Sequence, residues 1–509
     1  MLMCIALVGN VKPMWTRTFV DNVPHDPVLD SRPRQVTNSC FSFVEPTKMP
    51  SPKILLWNTS LAEHLDLQKE ASLWSGNTLL EGMKPFAHCY GGHQFGNWAG
   101  QLGDGRAITL GTMFVQNKPI EIQLKGSGVT PYSRRGDGRA VLRSSLREYL
   151  CSEAMYNLNI PTSRALSLVS TGEEVIRDIL YDGHPEKEPG AIVTRVAESF
   201  LRFGSFEIHA SRNDDETMRK LLTYVLTEHF GKEAFTPEGC IEWLRDVAQR
   251  TAFLVSEWMR VGFVHGVMNT DNMSIHSVTI DYGPYGWLEP YQLDWTPNTT
   301  DKYSKRYTYG NQPMIAMWNY ARLLDAILPC IGEQPKKKEL LEDFQHSFHE
   351  AHHRMWCNKL GFTDVDKHSI PIIERCQELL QESAVDMTMF FRELSHVEGP
   401  SIDFLSKVQY EQIQSKERWK TWLEDWFKAT NNMPNRELML ASNPKYVLRN
   451  WLAYNAIEMA EKGDMTLANE LFTCLQKPYQ EQEEFEKFYQ KRPPWAEQKP
   501  GCSMLSCSS

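Results

Sequence analysis

The sequence predicts an α+β fold in two lobes, a small strand-rich one followed by a large, mostly helical one. Three observations carry this. Segment 120–125 alternates Ile120, Ile122 and Leu124 with polar residues, the period of a half-buried strand, and lies among Gly-dense turns. From residue 214 onward the apolar spacing becomes helical. The 509 residues also exceed what one hydrophobic core usually organises.

In chain order, residues 1–50 are rich in Pro, Asp and Ser and are expected to wrap over a lobe. "ILLWNTSLAEHLDL" (54–67) reads as a short strand and a capped helix, and 88–111 is dense in Gly. The strand "IEIQLKGSG" (120–128) ends at Lys125 and a Gly turn. A helix is expected at about 139–157, with Leu142, Leu146, Tyr149 and Leu150 as its apolar stripe. "ALSLVSTGEEVIRD" (165–178) reads as a hairpin turning at Thr171-Gly172, and 190–204 as a strand and a connection. Segment 241–263 places Leu244, Val247, Ala248, Val255, Trp258 and Met259 on one helix face; 315–475 is mostly helical, and 476–509 is charged and extended. The boundaries that follow are an N-terminal extension (1–80) packing on the small lobe, the small lobe (81–205), the helical lobe (206–475) and a C-terminal tail (476–509).

The long helix runs straight into "HGVMNTDNMSIHSVTIDYG", from His265 to Gly283. Protein kinases carry H-R-D-x-x-x-x-N followed by D-F-G. There the first Asp takes the substrate proton, while the Asn and the second Asp hold Mg²⁺ on the nucleotide phosphates. Here His265, Asn272 and Asp281-Tyr282-Gly283 keep that order, but Val267 occupies the place of the base and an acid reappears at Asp271. Upstream, Lys125 ends a strand and Glu148 lies on the next helix, as in the kinase pair that grips phosphates. A small β-rich lobe before a large helical lobe carrying this loop is the protein-kinase-like bilobal arrangement, here with N- and C-terminal extensions.

The turn "GQLGDGRA" carries Gly103, Gly105 and Arg106 ahead of Lys125, and "SRRGDGRA" repeats the quartet with Asp137 and Gly138. Arg195 and Arg202 add cations, and guanidinium groups bind phosphate bidentately. If the β- and γ-phosphates enter an arginine pocket, the α-phosphate faces the acceptor, and the products are an AMP-bearing acceptor and pyrophosphate. Asp271 then supplies the base that Val267 cannot. A phosphotransferase on the same metal site and an inactive nucleotide-binding scaffold are the alternatives.

A net charge of −10 argues against a nucleic-acid partner. No apolar run approaches the roughly 18 residues of a membrane span, so no membrane partner is expected. The 11 Cys lack a CxxC pair, which fits a reducing, intracellular compartment, either bacterial cytoplasm or mitochondrion. Cys507, in the polar end "MLSCSS", is a candidate redox thiol. His346, His349 and His353 share a helix face and read as surface polarity rather than a metal site.

"YGGHQFGNWAGQLGDGRA", "QLKGSGVTPYSRRGDGRAVLRSSLREYL" and "HGVMNTDNMSIHSVTIDYGPYG" closely resemble the selenoprotein O (YdiU) family, as do "RPRQV", "WTPNTTD", "GNQP" and the terminal "CSS". The resemblance implies a kinase-like fold binding ATP in inverted orientation and AMP transfer to Ser, Thr or Tyr hydroxyls of proteins. UMP transfer with Mn²⁺ is credited to some bacterial members. By matching motif it implies nucleotide contacts from Gly103, Gly105, Arg106, Lys125, Asp137, Gly138, Arg195, Arg202 and Asp281. It likewise implies Mg²⁺ or Mn²⁺ on Asn272 and Asp281, Asp271 as proton acceptor and Glu148 orienting Lys125. A monomer acting on protein substrates is expected. Some bacterial members join the terminal Cys to a Cys after the D-Y-G; here that segment, "QLDWTPNTTD", has no Cys, and Pro297 stands near that place.

Overall fold

Nine strands of the described residues form one antiparallel sheet. A computed structural model describes residues 14–116, 118–178, 183–365, 367–502 and 504–506. The sheet strands are β1 (Met14–Thr16), β2 (Phe41–Phe43), β3 (Lys53–Trp57), β4 (Phe86–His88), β7 (Ala107–Val115), β8 (Lys118–Lys125), β9 (Ala140–Val141), β10 (Arg164–Arg177) and β11 (Glu186–Ala197). Their order is β2–β4–β7–β8–β11–β10–β3, with β1 on β7 and β9 on β11. Strands β5 (Gly91–Gln94) and β6 (Asn97–Gln101) form a separate hairpin. The first 80 residues thus contribute β1, β2 and β3 to the sheet itself.

Side-chain parity in β8 and β11 builds the two faces of this sheet. Ile122 and Leu124 enter an apolar core with Trp74, Leu110, Ile192 and Val196. Glu121, Gln123 and Lys125 therefore emerge on the other face. The register pairs Gln123 with Arg195 and Lys125 with Val193, so Arg195 shares that face. Helix Leu142–Asn157 lies over it, with Leu146, Tyr149 and Leu150 buried.

Two local expectations are corrected. Residues 165–178 are not a hairpin: β10 is one strand, paired with β11 on one side and β3 on the other. Thr171-Gly172 falls in an irregularity between Ser170 and Glu174. There Gly172 takes φ +80°, and a Cβ would stand 2.7 Å from Ser51 Cβ. The turn-forming residues serve a bulge rather than a reversal. The helix expected from about 139 starts instead at Leu142 because Ala140 and Val141 pair with β11.

In the helical part, helix Pro237–Val261 is capped by Thr236 Oγ1 on Gly239 N–H, starts with Pro237 and stops at Gly262, φ +77°. Its buried Leu244, Val247, Val255 and Trp258 join a core continuous with the helix over the sheet. A second core gathers around Trp356, Trp419, Trp422 and Trp426. Short strands Phe263–Val264 and Gly286–Trp287 pair antiparallel and bracket the loop between them. No helix among the described residues is long and apolar enough to cross a membrane.

The C-terminal segment is packed rather than extended. Phe485, Phe488, Ala496, Cys502 and Leu505 are buried, and Leu505 exchanges backbone hydrogen bonds with Pro297 O and Thr299 N. Cys507 lies outside the described residues. The nine described cysteines, Cys502 among them, are buried and none is in a disulfide. His346 faces Glu350 at 3.3 Å and His353 meets Ser369 Oγ at 2.8 Å. Among the described residues no group of three His, Cys, Asp or Glu is arranged to hold a metal.

Candidate active site

The cations of the sheet face converge on one carboxylate. Lys125 Nζ donates to Glu148 Oε2 at 2.6 Å and reaches Asp281 Oδ1 at 3.5 Å. Arg195 Nη1 donates to Asp281 Oδ1 at 2.9 Å and to Glu148 Oε1 at 3.2 Å, and its Nη2 bonds Gln123 Oε1. Arg202, just before helix Phe203–Ser211, donates from Nη1 to Asp281 Oδ2 and to the Asp271 carbonyl, both at 2.8 Å. Its guanidinium also lies 4.4 Å from the Tyr90 ring centre. Arg195 and Arg202 are 3% and 1% exposed, so neither is solvated surface charge.

Burial opposes ionisation of Asp281, but the Arg202, Lys125 and Arg195 charges outweigh it and hold its carboxyl well below the usual range. Burial lowers the Lys125 ammonium, against the pull of Glu148 and Asp281. Asp281 adopts φ +57°, a conformation that non-glycine residues rarely take and that concentrates at functional sites.

The two Gly turns differ in their surroundings. A Cβ on Gly103 (φ +79°) would stand 2.3 Å from the Tyr132 ring, and one on Gly105 would stand 2.9 Å from Tyr132 O, so both glycines let this loop lie flat on Tyr132. Arg106 accepts from Gly126 N–H through its carbonyl, which places it beside the end of β8. Its guanidinium has no carboxylate partner among the described residues. Gly138 (φ +69°) lies where a Cβ would be 2.1 Å from the Gly128 carbonyl carbon. Asp137 is held apart from the cation cluster: its carboxylate bonds Arg177 at 2.8 Å and Arg139 N–H at 2.9 Å.

The loop after the long helix is rigidly held. Burial lowers the His265 imidazole, and its Nε2–H donates to Ile280 O at 3.0 Å. Asn272 Nδ2 donates to Val267 O at 2.8 Å, so the bond fixes the side chain through its nitrogen and does not use its oxygen. With the Asp281 carboxylate it offers hard oxygen donors, the type that Mg²⁺ or Mn²⁺ takes alongside phosphate oxygens. Asp271, 8% exposed, is different: burial pushes its carboxyl up to about 7, against the opposing effects of Gln94 and Arg202.

Sequence reasoning missed the β5–β6 hairpin, which lies directly on this loop. His93 N–H donates to Thr270 Oγ1 at 2.7 Å, Gln94 Nε2 to Asp271 Oδ2 at 3.1 Å, and Phe95 N–H to Asn269 Oδ1 at 3.2 Å. Gly92 and Gly204 mark the close approach: Cβ atoms there would stand 2.6 Å from Asp271 Oδ1 and 2.0 Å from Gly91 O. The run "YGGHQFG" was legible only as Gly-dense; nothing local says what its glycines must let pass. Tyr90, Asp104 and Gln123 were also missed. They form a buried polar layer behind the cations, in which Tyr90 OH donates to Asp104 at 3.2 Å and Gln123 Nε2 to Asp104 at 3.0 Å.

A strand lysine, a helix glutamate and two buried arginines thus gather around Asp281, and the β5–β6 hairpin covers Asp271 in the same loop. Residues 23–476 match the family described as Protein adenylyltransferase SelO. The chain is 47% identical to Protein nucleotidyltransferase YdiU of Flavobacterium johnsoniae, over 96% of this chain and 98% of that one. It is 47% identical to the protein of the same name from Aromatoleum aromaticum over 96% and 98%. For that of Rhodopirellula baltica the figures are 46% over 97% and 99%. The chain therefore belongs to the SelO family and is an enzyme of the protein nucleotidyltransferase class, an adenylyltransferase.

Proposed function

We propose that the chain moves AMP from ATP to Ser, Thr or Tyr hydroxyls of proteins, releasing pyrophosphate, within a bilobal protein-kinase-like arrangement. The observation that carries this is the separation of two carboxylates. Asp281 sits among cations, while the Asp271 carboxyl is bonded by no cation among the described residues and burial pushes it up to about 7. Lys125, Arg195, Arg202 and Arg106, the last with no carboxylate partner among the described residues, receive the β- and γ-phosphates, with Gly103 and Gly105 letting the backbone lie close. Glu148 orients Lys125. Asn272 and Asp281 hold Mg²⁺ or Mn²⁺, which when bound neutralises charge on the phosphates. Asp137 and Gly138 enter as nucleotide contacts by matching motif alone, and Asp137 must leave Arg177 to reach a nucleotide.

Charge develops on the departing pyrophosphate during AMP transfer, so fixed cations there favour the transition state. Asp271 takes the proton of the acceptor hydroxyl, and a carboxyl near 7 suits a base working near neutral pH. Incubation with ATP labelled at the α- or at the γ-phosphate tests the reading. Label is expected on protein from α-labelled ATP alone, as an AMP mass gain on Ser, Thr or Tyr, and to vanish in Lys125→Ala. Arrival of γ-label would establish phosphotransfer instead.

A further inference from the structure

We propose that Gln94 is a positioning residue that caps the Asp271 carboxylate and is displaced by the incoming acceptor hydroxyl, so that the base is withheld from water until a protein acceptor arrives. The inference rests on the reading of Asp271 as the base.

The geometry closes both side-chain oxygens of Asp271. Oδ1 is buried with no hydrogen-bond partner and faces the Gly92 α-carbon so closely that a Cβ there would stand 2.6 Å away. That oxygen is sealed by backbone and offers no route in. Oδ2 is met by the Gln94 carboxamide at 3.1 Å. Nε2 of Gln94 thus holds the place that an attacking O–H must take, and it mimics that group, since both donate a hydrogen to the same oxygen.

The cap is held in place from both sides. His93 is tied to the loop through Thr270 Oγ1 at 2.7 Å and to Glu207 at 2.6 Å. Phe95 N–H is tied to Asn269 Oδ1 at 3.2 Å and to Tyr307 OH at 3.0 Å. These anchors hold the hairpin backbone, whereas Gln94 keeps a flexible, partly exposed side chain that can swing away without moving them.

The chemistry gives the cap a purpose. In transfer the acceptor O–H bond breaks and its proton goes to Asp271 Oδ2. The oxygen bonds the α-phosphorus, and the α–β bridging bond breaks with its electron pair leaving on pyrophosphate. Water in the acceptor's place completes the same steps and yields free AMP. A protein hydroxyl docked beside the hairpin displaces one amide hydrogen bond; a lone water has no docking contacts to offset that loss.

The test is the partition of AMP between water and protein. Wild type, Gln94→Ala and Gln94→Met are given α-labelled ATP, once without acceptor and once with saturating unfolded casein, and free labelled AMP from the first reaction is compared with labelled casein from the second. Both variants are expected to raise the ratio of free AMP to casein-bound AMP roughly tenfold, about the worth of one hydrogen bond to a charged group. The Michaelis constant for casein is expected not to rise. Gln94→Met preserves side-chain length, so a folding defect confined to Gln94→Ala leaves the measurement intact. A wild-type ratio in both variants, with both products falling together, would overturn the cap and leave Gln94 a structural residue. Asp271→Asn, run in parallel, separates the two readings. If it retains both products, the base assignment fails; if it loses both while the Gln94 variants keep the wild-type ratio, the base stands and the cap fails.

Discussion

Asp271 and Asp281 sit in one loop, and the fold drives them in opposite directions. Around Asp281, Arg195 and Arg202 donate at 2.9 and 2.8 Å and Lys125 stands at 3.5 Å. Around the Asp271 carboxyl stand a neutral carboxamide and a glycine backbone, with Arg202 bound to its carbonyl. One carboxyl is fixed as an anion; the other is poised near 7. The lesson is that residue type supplies a carboxylate, whereas its neighbours decide whether it holds charge or moves a proton. Arg202 joins the two halves, since one guanidinium nitrogen binds the Asp281 side chain and the Asp271 carbonyl.

Removing the cation-bound member gives the largest effect. Asp281→Ala leaves Arg195, Arg202 and Lys125 facing one another. Stability is expected to fall by about 3 kcal/mol, the scale for stripping one partner from a buried ionic cluster, read by urea unfolding. Transfer and nucleotide binding are lost together. Asp271→Ala breaks the other half. Single-turnover transfer is expected to slow by about 10²–10⁴-fold, the usual contribution of a general base, while the nucleotide dissociation constant barely moves. If nucleotide affinity collapsed there too, the two carboxylates would not be functionally distinct. The smallest change sharpens the contrast: Gly92→Ala introduces a Cβ 2.6 Å from Asp271 Oδ1. The added methyl is expected to cost about 1–3 kcal/mol of strain and to slow transfer roughly tenfold, with nucleotide affinity measured by calorimetry unchanged.

Much of the Asp281 side was legible in the sequence. Alternation in β8 fixes which face Lys125 takes, and motif spacing orders His265, Asn272 and Asp281. Arg195 and Arg202 could be named as cations, but their burial depends on the pairing of β11 with β8, which spacing alone does not give. The Asp271 side was legible only as an acid in an unusual place. Its neighbours Gly92 and Gln94 come from a hairpin far upstream, and only tertiary packing shows that the Gly run exists to admit a carboxylate. Residues 165–178 show the converse. Thr171-Gly172 has turn chemistry, but the turn signal was absorbed by a bulge because β3 and β11 were both available to pair with an unbroken β10. The C-terminal segment read as loose from its charge, yet Leu505 docks on Pro297 and Thr299.

The contact between Gln94 and Asp271 joins positions 177 apart in sequence. Closing so long an interval costs more chain entropy than any local turn, and such contacts form late in folding. A chain still emerging from the ribosome, or one half-unfolded by heat, can hold neither the hairpin against the loop nor the cations against Asp281. The surroundings of Asp271 therefore exist only where segments 177 positions apart are packed together.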